Sequence, residues 1–210
     1  MSGIIAQNTL DNSGLIKSPA GGGAWNFIKK LTASASGTLS FVDGASDVVL
    51  DNTYKEYMFT FNNMHPSADG DGVNLIFNLS IDSGSNYNVT KTTSAFRAYH
   101  TEAGAAPTLE YYPDLDLAQS TAFQKIVGES GGDNDQSISG TLHLFNPSST
   151  TFVKHFMTNA NQSTYHNLTM NTFTAGYGNT TSAVDAVQFK FADGNIDAGT
   201  ISLYGITWSI

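Results

Sequence analysis

Gly128-Glu129-Ser130-Gly131-Gly132 sets a serine in G-x-S-x-G spacing. That spacing can present a nucleophilic hydroxyl on a tight turn between a strand and a helix. The chemistry would be acyl transfer, with a base beside the hydroxyl and a carboxylate orienting the base. The elements that must position the serine do not follow that plan. "FQKIV" ahead of it reads as a strand, but "DNDQSISGTLHLF" after it reads as an acidic turn and another strand. No helix follows, so Ser130 reads as part of a glycine-rich hairpin loop.

The same serine is close to the glycine-framed serine of trypsin-like proteases. Such enzymes carry their histidine in an alanine-rich stretch ending at a cysteine. Here His65 lies in "NNMHPS", His100 lies in "AYHTEAG", and the chain has no cysteine. None of His65, His100, His143, His155 and His166 falls in H-x-H or H-E-x-x-H spacing, so no zinc signature is present. His143 and His155 take the polar-side phase of their strands and read as surface or subunit-interface residues. Glu110, Asp114 and Asp116 could supply the opposed carboxylates of sugar cleavage, but Pro113 and the short spacing place them in a loop. Asp69 and Asp71 in "ADGDG", and Asp133 and Asp135 in "GGDNDQ", crowd oxygen ligands of the kind calcium takes. Neither stretch has the glycine at position six or the glutamate at position twelve of an EF-hand loop, and both read as solvated turns. Tyr87 and Tyr177 sit in loops where they could stack on sugars or pack on a partner. No G-x-x-x-x-G-K-[ST] phosphate loop occurs. No residue is assigned a catalytic, cofactor-binding or metal-ligating role.

Composition narrows the partners. The 210 residues carry a net charge of −9, and Arg97 is the sole arginine. Binding to nucleic acid by counterion release needs clustered cations, so neither nucleic acid nor an anionic membrane surface is expected as a partner. Charged residues make up 13%, against roughly 25% in ordinary globular chains. Hydrophobic residues make up 40%, enough for a sizeable core. The absence of cysteine removes disulfides and thiolate chemistry. "MSGIIAQNTLDNSG" lacks the charged and apolar regions of a secretory leader, and no apolar run reaches the length of a membrane helix. The N-x-S/T matches at Asn78, Asn88, Asn161, Asn167 and Asn179 then imply no glycosylation.

Hydrophobic periodicity predicts the fold. Residues 1–24 are polar, contain Pro19 and end in "AGGGA", the composition of an extended N-terminal arm or linker. From Trp25 onward the period is two. Tyr57, Phe59 and Phe61 share one strand face. Val73, Leu75, Phe77, Leu79 and Ile81 share another, with Asn74, Asn78, Ser80 and Asp82 opposite. Ile138, Leu142 and Leu144 repeat the pattern, as do Val187, Phe189 and Phe191. "GTISLYGITW" is apolar on both sides, with Ile201 and Leu203 against Tyr204, Ile206 and Trp208, as for a strand buried twice or facing a partner subunit. Asp43-Gly44, Asp69-Gly70, Asp71-Gly72 and Asp193-Gly194 mark turns. Residues 110–127 leave room for a short helix. About ten strands joined by such turns predict an all-β chain, a single antiparallel β-sandwich of jelly-roll-like form over 25–210.

Two segments add a resemblance. "EYMFTFNNMHPSADGDGVNLIFNLSIDSGSNYN" (56–88) runs strand, His-Pro corner, Asp-Gly loop, long strand and "DSGSNY". "AVQFKFADGNIDAGTISLYGI" (186–206) joins an amphipathic strand to a closing strand through an Asp-Gly turn. Together they resemble structural proteins of tailed bacteriophages, where such domains serve in tail fibres, receptor-binding tips and head decoration. The resemblance implies a virion protein assembled in the bacterial host cytoplasm, a homotrimer without enzymatic activity or cofactor. The arm at 1–24 would attach it to other virion proteins, and the β-domain would contact a host surface glycan or protein. A capsid decoration (cement) protein binding between capsomers and a tail polysaccharide depolymerase are the alternatives.

Overall fold

The computed structural model describes residues 25–105 and 107–207. Strands account for 53% of the chain and helix for 2%, in two antiparallel sheets packed as a sandwich. In chain order the strands are β1 (Trp25–Thr32), β2 (Leu39–Val42), β3 (Glu56–Pro66), β4 (Leu75–Ser80), β5 (Lys91–Thr101) and β6 (Thr108–Tyr111). After one 3-10 turn (Pro113–Leu115) come β7 (Gln124–Lys125), β8 (Ile138–Phe145), β9 (Lys154–Ser163), β10 (Leu168–Gly178), β11 (Ala186–Phe191) and β12 (Ile196–Ile206). The large sheet runs β1-β12-β3-β8-β9-β10-β5-β6, and the small sheet runs β2-β11-β4-β7. The ends of the chain are wound together: β1 pairs β12 in one sheet while β2 pairs β11 in the other. That is jelly-roll-like winding in its outermost rungs. It gives way to the β8-β9-β10 meander, which widens the large sheet beyond the reach of the small one.

The core lies between the sheets. Tyr57, Phe59 and Phe61 of β3 face Phe77 of β4 and Val187, Phe189 and Phe191 of β11, all fully or almost fully buried. Phe189 is the hub, with ring centroids 5.3 Å from Phe59 and from Phe61 in tilted and edge-on contacts. Such contacts suit the quadrupoles of the rings and add to the burial of their area. Ile138, Leu142 and Leu144 of β8 and Ile201 and Leu203 of β12 complete this core on the phases the sequence predicts. The turn glycines Gly44, Gly70 and Gly194 have φ of 75°, 126° and 71°, where a side chain would be strained.

Three expectations need correction. β4 is buried along its whole length, Asn78 and Ser80 included. Its second face is covered by the segments on either side of β5, with Asn78 donating to the carbonyls of Tyr87 (2.6 Å) and Thr121 (3.0 Å). Ile81 does not continue the apolar row. The strand stops at Ser80, the Asp82 carboxylate closes the next turn on the Asn86 N–H (2.8 Å), and Ile81 is left 42% exposed. Among the described residues the strands number twelve, not about ten. Over 110–127 only the 3-10 turn is helical, with Pro113 at its start, where a missing N–H costs nothing. The outer face of β12 is partly covered from within the chain, since Tyr204 packs against Trp25 (5.7 Å) and Phe27 (5.8 Å) of β1. Trp208 and the arm at 1–24 lie outside the described residues. No helix among those residues is long and apolar enough to cross a membrane.

Candidate functional site

The serine motif is not a hairpin tip. It forms part of the connection that returns from the small sheet to the large one. Ser130 is fully buried, bridges to Thr164, and donates its N–H to the Val73 carbonyl at 2.8 Å. Its hydroxyl meets the Gln162 side-chain oxygen at 3.3 Å, so its neighbour is an amide and not a base. The glutamate of the motif is the member with an ionic role. Arg97 on the inner side of β5 reaches Glu129 at 3.0 Å and Glu110 of β6 at 2.8 Å. Its guanidinium lies 3.8 Å from the centroid of the Tyr112 ring and 5.0 Å from that of Tyr99. Tyr112 donates its hydroxyl to Glu129 at 2.9 Å. Burial disfavours the guanidinium charge, but the Glu110 hydrogen bond, the adjacent Tyr112 and Glu129 outweigh it and raise its pKa. For Tyr112, burial and the Glu129 carboxylate push the phenol well above its ordinary value. The cluster pins the 128–132 crossing to β5, which is a structural duty.

The other candidates disperse. Glu110 belongs to Arg97, Asp116 accepts the Tyr111 hydroxyl, and Asp114 stands exposed on the 3-10 turn, so the triplet forms no opposed pair. The two acidic loops do meet: Asp69 accepts the Gly132 N–H at 2.8 Å, and Asp71 accepts the Tyr165 hydroxyl. That hydrogen bond pushes the Tyr165 pKa up to about 12. These carboxylates close loops on one another, and among the described residues no three His, Asp or Glu gather to hold a metal. His65 is tied to the Asp133 carbonyl at 3.1 Å, and His143 to Glu56 at 2.6 Å. Tyr87 lies back over Gly84.

What the structure assembles instead is a surface. The outward side chains of β8, β9, β10, β5 and β6 follow from the register and from the alternation of burial. None of them is Asp, Glu, Lys or Arg. Across one row Thr141, Asn159, Phe173, Phe96 and Tyr111 sit side by side on successive strands. Phe96 and Phe173 stack nearly parallel at 4.8 Å. In the neighbouring row stand His143, Met157, Ala175 and Ser94. Phe96, Met157, Tyr111 and Leu109 are 46, 52, 59 and 73% exposed. Trp25 and Phe27 extend the same face at its far edge, and the other exposed large apolar residues, Ile81 and Phe152, lie in connections. Hollows of about 440 Å³ open beside Phe96 and Phe173 and beside Ala98, Leu109 and Asn161. A third, of about 530 Å³, opens between His155, Tyr177 and Phe145.

Of the residues weighed from sequence, His100, His143, His155 and Tyr177 belong to this face; Ser130 and the carboxylates do not. Phe96, Phe173, Met157 and the asparagines of β9 and β10 gave no sequence signal, because no chemical motif joins them and only strand pairing does. Protein-family models, curated proteins and solved structures were compared with the chain, and none matches.

Proposed function

We propose that the chain is a non-enzymatic structural protein of a tailed-phage virion, a tail-fibre or baseplate-associated protein that meets the host surface through the outer face of its large sheet. The observation that carries this reading is the face itself. A molecule of net charge −9 keeps every formal charge off the outward side of five adjacent strands and exposes aromatic side chains there. Soluble proteins seldom display such patches without a partner. Assembly as a homotrimer, attachment through residues 1–24 and a location in the virion belong to the same proposal, on the strength of the sequence resemblance. The depolymerase alternative draws no support, since Glu110 is engaged by Arg97 and the strands of the face present no carboxylate.

Gold-labelled antibody against the protein, imaged on virions by electron microscopy, tests this. Label at the tail, together with slowed adsorption when the free protein is added to host cells, is the expected result. Label confined to the head would favour the decoration alternative, and absence from virions would end the virion reading.

A further inference from the structure

The hollows on the outer face form a line. Going along β9, His155 and Met157 border the first, Met157 and Asn159 the second, and Asn161 the third. A fourth continues the line beyond Asn161 to Ser163. From His155 to Ser163 these hollows follow one another as a furrow of roughly 26 Å at the rise of an extended strand, crossed between the second and third by the row of Asn159, Phe173 and Phe96. It runs with the strands across the middle of the sheet. Its walls alternate ring and thioether surface with amide and hydroxyl groups.

We propose that this furrow binds a linear, electrically neutral glycan. The inference rests on the reading that the outer face is the contact surface, and it names the ligand. Four physical arguments single out that occupant. No lysine or arginine lines the furrow to meet phosphate, sulfate or carboxylate, and the carboxylates near it stand at its margins, Glu102 beside the fourth hollow and Glu56 held by His143, so a charged chain would be desolvated along most of its length without compensation. Asn159 and Asn171 each carry both donor and acceptor capacity, while Asn161, whose amide N–H groups go to Thr169 and the Met170 carbonyl, keeps its oxygen to accept and Thr169 keeps its hydroxyl hydrogen to donate, a set that suits hydroxyl groups that do both. A second copy of this chain would have to set its own polar groups in register with those amides, at about 1–3 kcal/mol for each group left unpaired. An extended peptide docks by adding to a sheet edge, whereas the backbone here is already paired on both sides in the β8-β9-β10-β5 ladders. The exposed ring of Phe96, stacked on the half-buried Phe173, then supplies apolar surface for the C–H faces of a sugar, and the length of the furrow calls for several sugar units.

Titration of the ¹⁵N-labelled full chain with neutral gluco-, manno-, galacto-, xylo- and N-acetylglucosamine oligosaccharides, followed by amide chemical shifts, is the test. Shifts confined to β5, β9, β10 and the flanking β6 and β8 are expected with at least one series, and hexamers should bind at least tenfold tighter than dimers. Phe96→Ala should weaken binding at least tenfold. Asn159→Asp, at an exposed position where folding is not at stake, should do the same by placing a charge in the furrow. Silence from every neutral series would overturn the proposal, as would shifts seen only with sulfated or uronic acid chains, or shifts outside the furrow. Protection of the furrow amides in a stable oligomer of the free protein would overturn it too, in favour of a self-interface. Tail labelling with a silent titration would sink the glycan and leave the attachment reading standing; glycan binding by a protein absent from virions would do the reverse.

Discussion

The two faces of the large sheet invert the usual arrangement. On β5 the inner side holds Lys91 and Arg97 while the outer side exposes Phe96; on β9 Lys154 is inside and Met157 outside. Lys91 and Lys154 are fully buried, and no carboxylate pairs with either among the described residues. The Lys91 ammonium donates to the Asn78 side chain at 2.5 Å and to the Val89 carbonyl at 2.7 Å; that of Lys154 donates to the carbonyls of Phe152 (2.7 Å) and Thr180 (3.1 Å). Burial pushes the Lys91 pKa down to about 7 and lowers that of Lys154. A one-residue slip of register would exchange the faces, placing Phe96 inside and the cations in water. Burial of apolar surface alone does not explain why Phe96 and Met157 face outward; the recognition proposed above would.

That contrast can be broken from either side. The largest effect belongs to the inner face. Arg97→Met leaves Glu129 and Glu110 without their cation and should lower the unfolding free energy by about 3 kcal/mol, read from the urea midpoint. Next is Lys91. Its folded pKa is depressed, so between pH 7 and the ordinary lysine value the unfolded chain binds a proton that the folded chain does not. Stability should rise with pH through that window, by about 2.5 kcal/mol between pH 7.5 and 9.5 at close to one proton's slope. Lys91→Met should leave only the smaller share that Lys154 contributes, and a slope unchanged in that variant would show that Lys91 is not its source. Outer-face changes should be smaller. Phe96→Ser forfeits the stack on Phe173 and should cost about 1 kcal/mol. If it costs as much as Arg97→Met, the outer face serves the folded state and the contrast collapses. Asn159→Asp should fall within about 0.5 kcal/mol of the parent. Ser130, without access to solvent, should take no label from a fluorophosphonate, and labelling would show that the 128–132 crossing opens.

The sandwich core was legible because its strands sort strongly. Tyr57, Phe59 and Phe61, and Val187, Phe189 and Phe191, are pure apolar rows, and Asp-Gly pairs end the runs. The strands of the candidate site do not sort. In β5 both phases mix polar with apolar residues, and the larger apolar side chain, Phe96, is the outward one. β10 likewise buries Met170 and Thr172 and turns Phe173 outward. Periodicity cannot assign such a strand to a face; the sheet order does. The burial of Asn78 was illegible for a related reason, because its cover comes from Tyr87 and Thr121 in the connections before and after β5. The serine motif misled by its spacing, since Glu129 beside Ser130 carries the interaction.

Arg97 is the sole arginine of the chain, and its backbone pairs with Thr172 on one side and Glu110 on the other. A protease that cuts only after arginine thus has one bond to attack, held between two neighbouring strands. Digestion must wait until β5 separates from both of them, and it then yields two fragments in one event. The rate at which the intact band disappears would time the opening of this half of the sandwich, with no mutation and no probe attached.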